Sequence, residues 1–582
     1  MNKKRVILSA GILFILTILL ALDLTNQGLA WRIFWNLTGE EAPLAQLQGM
    51  VHWAGNFTRS QPRTAPMVPV NHTAENPYGI NVFLQEEVEP EKRERIVQMV
   101  AEAGFTWLRQ QFPWEDIEIH GRGDFEDRRN DLNGDGQPDT ISAWAKYDQI
   151  VDLAEQYDLR ILARLDNPPA WSRSSPDRGD FAPPDDLQDF VNYATAVAER
   201  YKGRLRYYQV WNEPNIYPEW GNQDVSPQGY TELLCRTYDA LKTVDPDSVV
   251  ISGALASTVA LTGRDLNDYV FLQRMYDAGA ADCFDVLAVQ GYGFNSGPTD
   301  RRLRPTTINF SHNLYIRDIM VANGDAHKPI WITEAAWNPQ PRDPSIVTAL
   351  YGNYGIVTPE QAARYMPLAY QRAQEEWPWV GPMFYWFFKR PHDFEANQSW
   401  YYFRMVEPDF APLPVYDSMK QHITTQEPVL YPGVHQVEHW AVTLPDSARL
   451  VERPGAQFDR AVQTVEAAFT TYGTEVWLRW RGGGEVLEVL RDGENTLAGG
   501  HCTRPLSDDE WHVTVLCSSL LPQRHTFRVV PVAEAEPLYL DSITVLNRTY
   551  ENVFGPAAAL LIGVGMLAWV VFSALRERNK KR

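Results

Sequence analysis

The sequence predicts an α/β fold: a (β/α)8 barrel followed by a C-terminal antiparallel β-sandwich, flanked by N- and C-terminal transmembrane helices. Three observations carry this. Between residues 75 and 421, eight short, continuously apolar runs alternate with amphipathic stretches, and apolar strands separated by helices belong to a parallel sheet covered by helices. Beyond Gln421 the texture changes to short alternating runs with Gly-rich or Asp-Gly turns, which reads as an antiparallel sandwich. Near each end lies a long uncharged apolar run, of a length suited to spanning a bilayer.

Residues 1–22 hold the first of these runs, "VILSAGILFILTILLAL" after "MNKKR". A cleaved signal peptide is the rival, with a small-x-small site in "GLA" at 28–30. An uncleaved anchor is preferred, because the run is long for a signal core and the site is distant. The second run, residues 555–575, precedes "RERNKKR". Basic clusters on the terminal side of both runs place both termini in the cytoplasm and the chain between them outside. The expected location is therefore the cell membrane, with lipid contacted through two transmembrane helices and the catalytic domain facing outward. Residues 23–74 carry turn formers and little periodicity, as an extracytoplasmic stalk would.

The barrel, residues 75–421, is read from "YGINVFL", "FTWLRQQF", "LRILARL", "LRYYQVWNEPN", "SVVISGAL", "FDVLAVQGYG", "KPIWITEAAW" and "VGPMFYWFFKR", each followed by a helical stretch or a long loop. An open doubly wound sheet is the competitor, but no G-x-G-x-x-G follows the first strand. The sandwich occupies residues 432–547. Four cysteines are present, none in a C-x-x-C pair. Cys502 and Cys517 are close enough in sequence to bridge two strands in an oxidising compartment, or to be two separate buried thiols.

The formal net charge of −21 argues against nucleic acid, whose binding needs a basic face. The 20 Trp and 26 Tyr suit flat sugar faces and also fill cores. H-E-x-x-H, the Walker A loop and G-x-S-x-G are all absent, so the chemistry expected needs no cofactor.

In such barrels, catalytic groups sit at the C-terminal ends of strands. Strand four ends "VWNEPN", placing Glu213 at the rim, and strand seven ends "IWITEAAW", placing Glu334 there. One such Glu reads as a helix cap or a satisfied rim carboxylate. Two across a cleft suit glycoside hydrolysis, where one protonates the leaving oxygen and the other attacks the anomeric carbon. Asn212 stands within reach of a sugar 2-OH, and Pro214 stops the strand.

These two stretches resemble the signature of clan A retaining glycoside hydrolases, which are (β/α)8 (TIM barrel) enzymes. The nearest resemblance is to family 39, of β-xylosidase and α-L-iduronidase type, with family 5 cellulase-like enzymes as neighbour. The resemblance implies Glu213 as acid/base and Glu334 as nucleophile. It further implies that Arg109 holds the nucleophile ionised, that Tyr292 hydrogen-bonds it, and that Trp386 lies under the sugar. Each of these also has a structural reading, as a buried ion pair or as core. One departure is that many clan members carry a His near the end of strand three, where this chain has Asp166 and Asn167. Trp171, Tyr217, Trp220 and Trp337, on rim loops, are candidates for stacking on sugar rings or for loop packing.

A second constellation is "DLNGDGQPDT". Asp131, Asn133, Asp135 and Asp139 take positions 1, 3, 5 and 9 of a calcium loop, with Gly136 at position 6 and Ser142 where the bidentate Glu belongs. The match resembles dockerin-type loops and implies a structural Ca2+; the alternative is a polar turn. The sequence thus points to a membrane-tethered retaining glycosidase acting on an oligo- or polysaccharide. The alternatives are a catalytically inactive carbohydrate-binding surface protein that kept the barrel, and a lectin-like role for the sandwich, which otherwise is a packing companion.

Overall fold

A computed structural model describes residues 3–554 except 132–133, 483–486, 496–502, 506–510 and 532–537, together with Met566 and Trp569. The chain divides into two compact units. The first comprises Met1–Ala65, Pro77–Ala373 and Trp379–Gln426. The second comprises Pro66–Asn76, Gln374–Pro378 and Glu427–Arg582.

The first unit is a parallel barrel. Its strands are β1 (Tyr78–Val82), β2 (Trp107–Pro113), β3 (Arg160–Asp166), β4 (Tyr207–Val210), β5 (Val249–Ile251), β6 (Leu287–Gln290), β7 (Ile330–Ala335) and β8 (Val380–Tyr385). They pair in the order β5-β4-β3-β2-β1-β8-β7-β6. Isolated bridges Ile251↔Val286 and Leu255↔Val289 nearly close the ring between β5 and β6. Six of these eight strands are buried at every residue, because helices cover the outside and side chains fill the inside. The interior is plugged by Trp107, Leu162, Tyr207, Ile251, Trp331 and Phe384. Burying each such side chain contributes about 1.5–3 kcal/mol. Gly79 on β1 is required here: a Cβ would meet the Phe384 ring at 2.5 Å. The apolar plug leaves the opposite, C-terminal end of the barrel to polar side chains, and the site stands there.

Eleven α-helices are described. Three precede the barrel: α1 (Lys3–Thr25), α2 (Leu29–Thr38) and α3 (Pro43–Ala54). The rest cover it: α4 (Pro90–Glu102), α5 (Ala145–Gln156), α6 (Leu187–Arg200), α7 (Pro227–Val244), α8 (Asp268–Asp277), α9 (Asn313–Ala322), α10 (Pro359–Glu376) and α11 (Pro414–Thr425). Side-chain caps start several of them. Asp186 accepts from the Gln188 N–H, Ser226 from Gly229, and Asn267 from Tyr269 and Val270.

Three expectations change. Residues 23–74 are not irregular throughout, because the segment holds α2 and α3, which belong to the barrel unit. Trp35 stacks on Tyr365 at 5.4 Å, Gly297 N–H donates to Gly39 O at 2.8 Å, and Thr299 Oγ1 donates to Trp35 O at 2.7 Å. Partners some 264 residues away hold this segment, so its own periodicity gave little sign of it.

Among the described residues no single helix is long and apolar enough to cross a membrane. One bent pair, Gly11–Thr25 with Leu29–Thr38, meets that test together, with 69° between its halves. The expected C-terminal span, residues 555–575, lies outside the described residues apart from Met566 and Trp569.

The second unit is not two stacked sheets. It is one antiparallel sheet of ten strands among the described residues, organised by two long strands, Ala467–Gly482 and His512–Pro531. Their ladder shifts register near Gly473 and Val476, and such irregularities bend and twist a long strand. One face packs Phe469, Leu478, Trp480, Phe527, Leu540 and Ile543 into a core. Alternation in sequence identifies strands, but whether long strands split into two sheets or curl as one depends on pairing across the sheet. Cys517 is a free, buried thiol and Cys502 lies outside the described residues. The disulfide that does form joins Cys235 on α7 to Cys283, 48 residues on.

Candidate active site

Strand β4 ends in an unusual backbone. Trp211 and Glu213 both have positive φ, 74° and 42°. Non-glycine residues held there cost on the order of 1–3 kcal/mol each and need over-determined surroundings. Trp211 N–H donates to Leu165 O, and Glu213 N–H to Ala254 O, each at 2.9 Å. The indole of Trp211 donates to Glu219 O at 2.8 Å. Asn215 completes the clamp. Its amide donates to Ala256 O and Leu266 O and accepts from the Ala256 N–H. The second Asn of "WNEPN" thus fixes the loop that presents Glu213.

Glu334, at the end of β7, is 3% exposed. Arg109 Nη1 donates to its Oε1 at 2.7 Å, and the Tyr292 hydroxyl donates to its Oε2 at 2.7 Å. Arg109 is itself fully engaged: Nε donates to Gln209 at 2.7 Å, Nη1 also to Asn81 at 2.8 Å, and Nη2 to Asn212 at 2.7 Å. Asn81 is held in turn by Thr333 O and Tyr385 O. A guanidinium and a phenol aimed at one carboxylate suit an anionic nucleophile. Burial and the adjacent Glu334 push the Tyr292 phenol well above its ordinary range, so it remains a donor.

Glu213 has a different environment. Its hydrogen-bond partner is neutral: Gln290 Nε2 donates to Oε1 at 2.9 Å. Burial first, then the charges of Glu334 and Glu219, hold its carboxyl well above the usual range. With Oε1 occupied by a donor, Oε2 is the oxygen free to carry a proton. The two carboxyl groups of this site thus stand in different surroundings, one beside a guanidinium and a phenol, the other beside a neutral amide.

Both line a cavity of about 300 Å3, with Asn212, Tyr292 and Trp386. Glu219, Arg164, Tyr354 and Trp400 also line it. Asp166, at the end of β3, pairs with Arg164 at 2.6 Å and accepts from Gln111 at 2.8 Å, and Asn167 faces the cavity.

The four rim-loop residues expected to stack on sugar stand elsewhere. Trp337 is fully buried, donates to Ser296 O and packs on Phe310 and Tyr365. Trp171 donates to Glu118 O at 2.8 Å and sits edge-on to Trp114. Neither lines the cavity. Trp220 is buried against Trp211, and Tyr217 is exposed beneath Arg264. Loop indoles gain more by burying their area under the loops than by lining a wet cleft.

Glu219, Gln290, Asn81, Gln209, Tyr354 and Trp400 were not singled out from sequence. Gln290 carried a signal, since it precedes Tyr292 by two on the strand-six run and shares its face. Glu219 carried none.

Glu219 makes its own prediction. Burial pushes its carboxyl up to about 7, against the lowering charge of Arg164. Unfolded glutamate titrates near 4.3. The protonated form is therefore favoured by the fold; its stabilising contribution is fully present below about pH 4.3 and is lost as pH rises through about 7. The loss amounts to about 4 kcal/mol. Glu219→Gln should flatten the fall in melting temperature between these pH values relative to the unsubstituted chain. Parallel curves for the two proteins would remove this burial effect.

In the calcium-like loop, the Asp131 carboxylate accepts from the N–H groups of Gly134, Asp135 and Gly136, closing a turn. Asn133 lies outside the described residues. Among the described residues no three His, Cys, Asp or Glu side chains gather as a metal site.

No family model matches this chain, and no curated protein does. Solved structures do. One is a family 39 glycoside hydrolase from the gut symbiont Bacteroides cellulosilyticus WH2, 18% identical with a TM-score of 0.44, matched over 80% of this chain and 83% of that one. Another is a monomeric beta-xylosidase from Caulobacter crescentus CB15, at 14% identity and a TM-score of 0.42, over 81% and 98%. A third is GH5_18 from Streptomyces cattleya in complex with GlcNAc, at 17% and 0.45, over 62% and 82%. Solved structures this chain is similar to thus include glycoside hydrolases of families 39 and 5.

Proposed function

We propose that this protein is a retaining glycoside hydrolase acting on an oligo- or polysaccharide. One observation carries the reading: two carboxyl groups share a single cavity in different electrostatic settings, Glu334 against a guanidinium and a phenol, Glu213 half-buried beside a neutral amide. In the first step Glu334 attacks the anomeric carbon while Glu213 gives its proton to the departing glycosidic oxygen. In the second, Glu213 takes a proton from water, and the oxygen of that water displaces Glu334 from the sugar. Asn212, held by Arg109, is placed to bind the sugar beside the reacting bond. Trp386 supplies an apolar face to the ring.

A panel of aryl glycosides offered to the purified chain tests the activity. Proton NMR of the first-formed sugar tests the stereochemistry. The expected product keeps the substrate's anomeric configuration. An inverted anomer would remove Glu334 as nucleophile, and no turnover of any glycoside would favour the carbohydrate-binding alternative.

The site is proposed to work outside the cytoplasm, on a membrane-held chain. Support comes from the Cys235–Cys283 disulfide, since such bonds persist in oxidising compartments. Further support comes from α1, whose apolar side chains are exposed around the helix. A structural calcium ion at residues 131–142 is also proposed, from the ligand spacing and the Asp131 turn. A chelator should then lower the melting temperature, because an ion bound only to the native state stabilises it. An unchanged curve with no metal in elemental analysis would dismiss the ion.

A further inference from the structure

The helices before the barrel present an apolar surface that is exposed among the described residues. On α3, Leu44 is 76% exposed, Leu47 40% and Val51 72%, a spacing that lines them along one side of the helix. Leu29 and Ile33 do the same on α2, at 72% and 47%, and Phe57 follows at 77%. The other sides of these helices are committed. Trp35 stacks on Trp31 and Tyr365, Gln46 donates to Trp31 O and Glu40 O, and Gly49 lies against Thr38. The apolar stripe is therefore an outward platform on a well-anchored base.

What covers it follows from α1. Leu13, Phe14, Ile15 and Leu16 are successive residues spaced about 100° apart around the helix, and each is more than half exposed. A helix apolar on every side needs a medium that wets all sides, which a second copy of a protein surface does not provide and lipid does. The junction to α2 is fixed. Leu24 is buried, Asp23 Oδ1 accepts from the Trp31 N–H at 3.0 Å, and Gly28 N–H donates to Asp23 O at 2.9 Å. The two helices meet at 69°. With α1 along the bilayer normal, α2 lies only about 21° from the membrane plane, the posture of an interfacial helix.

We infer that α2 and α3 form a lipid-contacting platform that seats the barrel unit on the membrane surface, its stripe of Leu29, Ile33, Leu44, Leu47 and Val51 lying at the boundary between headgroups and acyl chains. The inference rests on the membrane location proposed above for α1, and the test separates the two. An environment-sensitive fluorescent amino acid is placed in the full chain at Ile15, Val51 or Phe57, with Leu261, exposed elsewhere on the barrel unit, as control. The chains are reconstituted in phosphatidylcholine–phosphatidylglycerol vesicles carrying brominated lipids.

The expected result is quenching at Ile15 by lipids brominated near the chain ends. At Val51 and Phe57 quenching should come from lipids brominated near the carbonyls, with none at Leu261. Leu44→Glu with Val51→Glu should bring the Phe57 signal down to that of Leu261 and leave Ile15 quenched. Quenching at Ile15 with Val51 and Phe57 as water-exposed as Leu261 overturns the platform and leaves the anchor. No quenching at Ile15 overturns both. Shielding of Val51 equally with and without lipid, with dimers in solution, assigns the stripe to a second copy and also overturns the platform.

Discussion

Glu334→Ala will lower kcat/KM on an aryl glycoside by roughly 10^5-fold or more, the scale on which removing a covalent nucleophile costs an enzyme. The loss arises because no glycosyl-enzyme forms without the carboxylate, and the water that enters in its place is a far weaker nucleophile. Azide, small and anionic, fills the same space between Arg109 and Tyr292, which lose their common acceptor in this variant. It should restore turnover and give an azide of inverted configuration, α from a β-glycoside. Steady-state rates with and without azide, and NMR of the product, read both effects. Activity of Glu334→Ala within tenfold of the unsubstituted chain would place the nucleophile elsewhere.

Glu213→Ala has the second-largest effect, and the substrate should decide its size. General acid catalysis contributes roughly 10^2–10^4-fold. That full loss is expected where the leaving alcohol needs a proton. An activated aryl group needs little, so its bond-breaking step should be nearly unchanged. Return of the proton-accepting base is lost in either case, so azide should rescue the second step and yield the retained azide. In the unsubstituted chain the acid must be protonated. Since burial and two carboxylates raise the Glu213 pKa, activity should fall as pH rises through that raised value. Replacing Gln290, whose amide donates to Glu213 Oε1, by Leu removes a bond that favours the ionised form. The alkaline limb should then move to higher pH. A limb unmoved in Gln290→Leu, together with no leaving-group dependence in Glu213→Ala, would strike Glu213 from the acid role.

What the sequence determined by itself was local. A buried apolar run ending in a carboxylate marks a strand end, and that rule found Glu213 and Glu334. The resemblance to clan A hydrolases, not that rule, implied Arg109, Tyr292 and Trp386, which the fold brings to the same cavity or to Glu334 itself. Alternation of apolar strands and amphipathic helices was enough for the barrel, because each βα unit packs mainly on its sequence neighbours.

What only the tertiary structure decided depends on residues far apart in the chain. Asn81 and Gln209 come to Arg109 from 28 and 100 positions away, and Glu219 enters the cavity from a loop with no motif. Residues 23–74 look irregular until their partners near residue 300 are in place. Trp171 and Trp337 look available for sugar until the loops close over them. Cys235 finds Cys283 only through the packing around α7. In each case the energy lies in contacts across the fold, to which the neighbours of a residue in sequence contribute nothing.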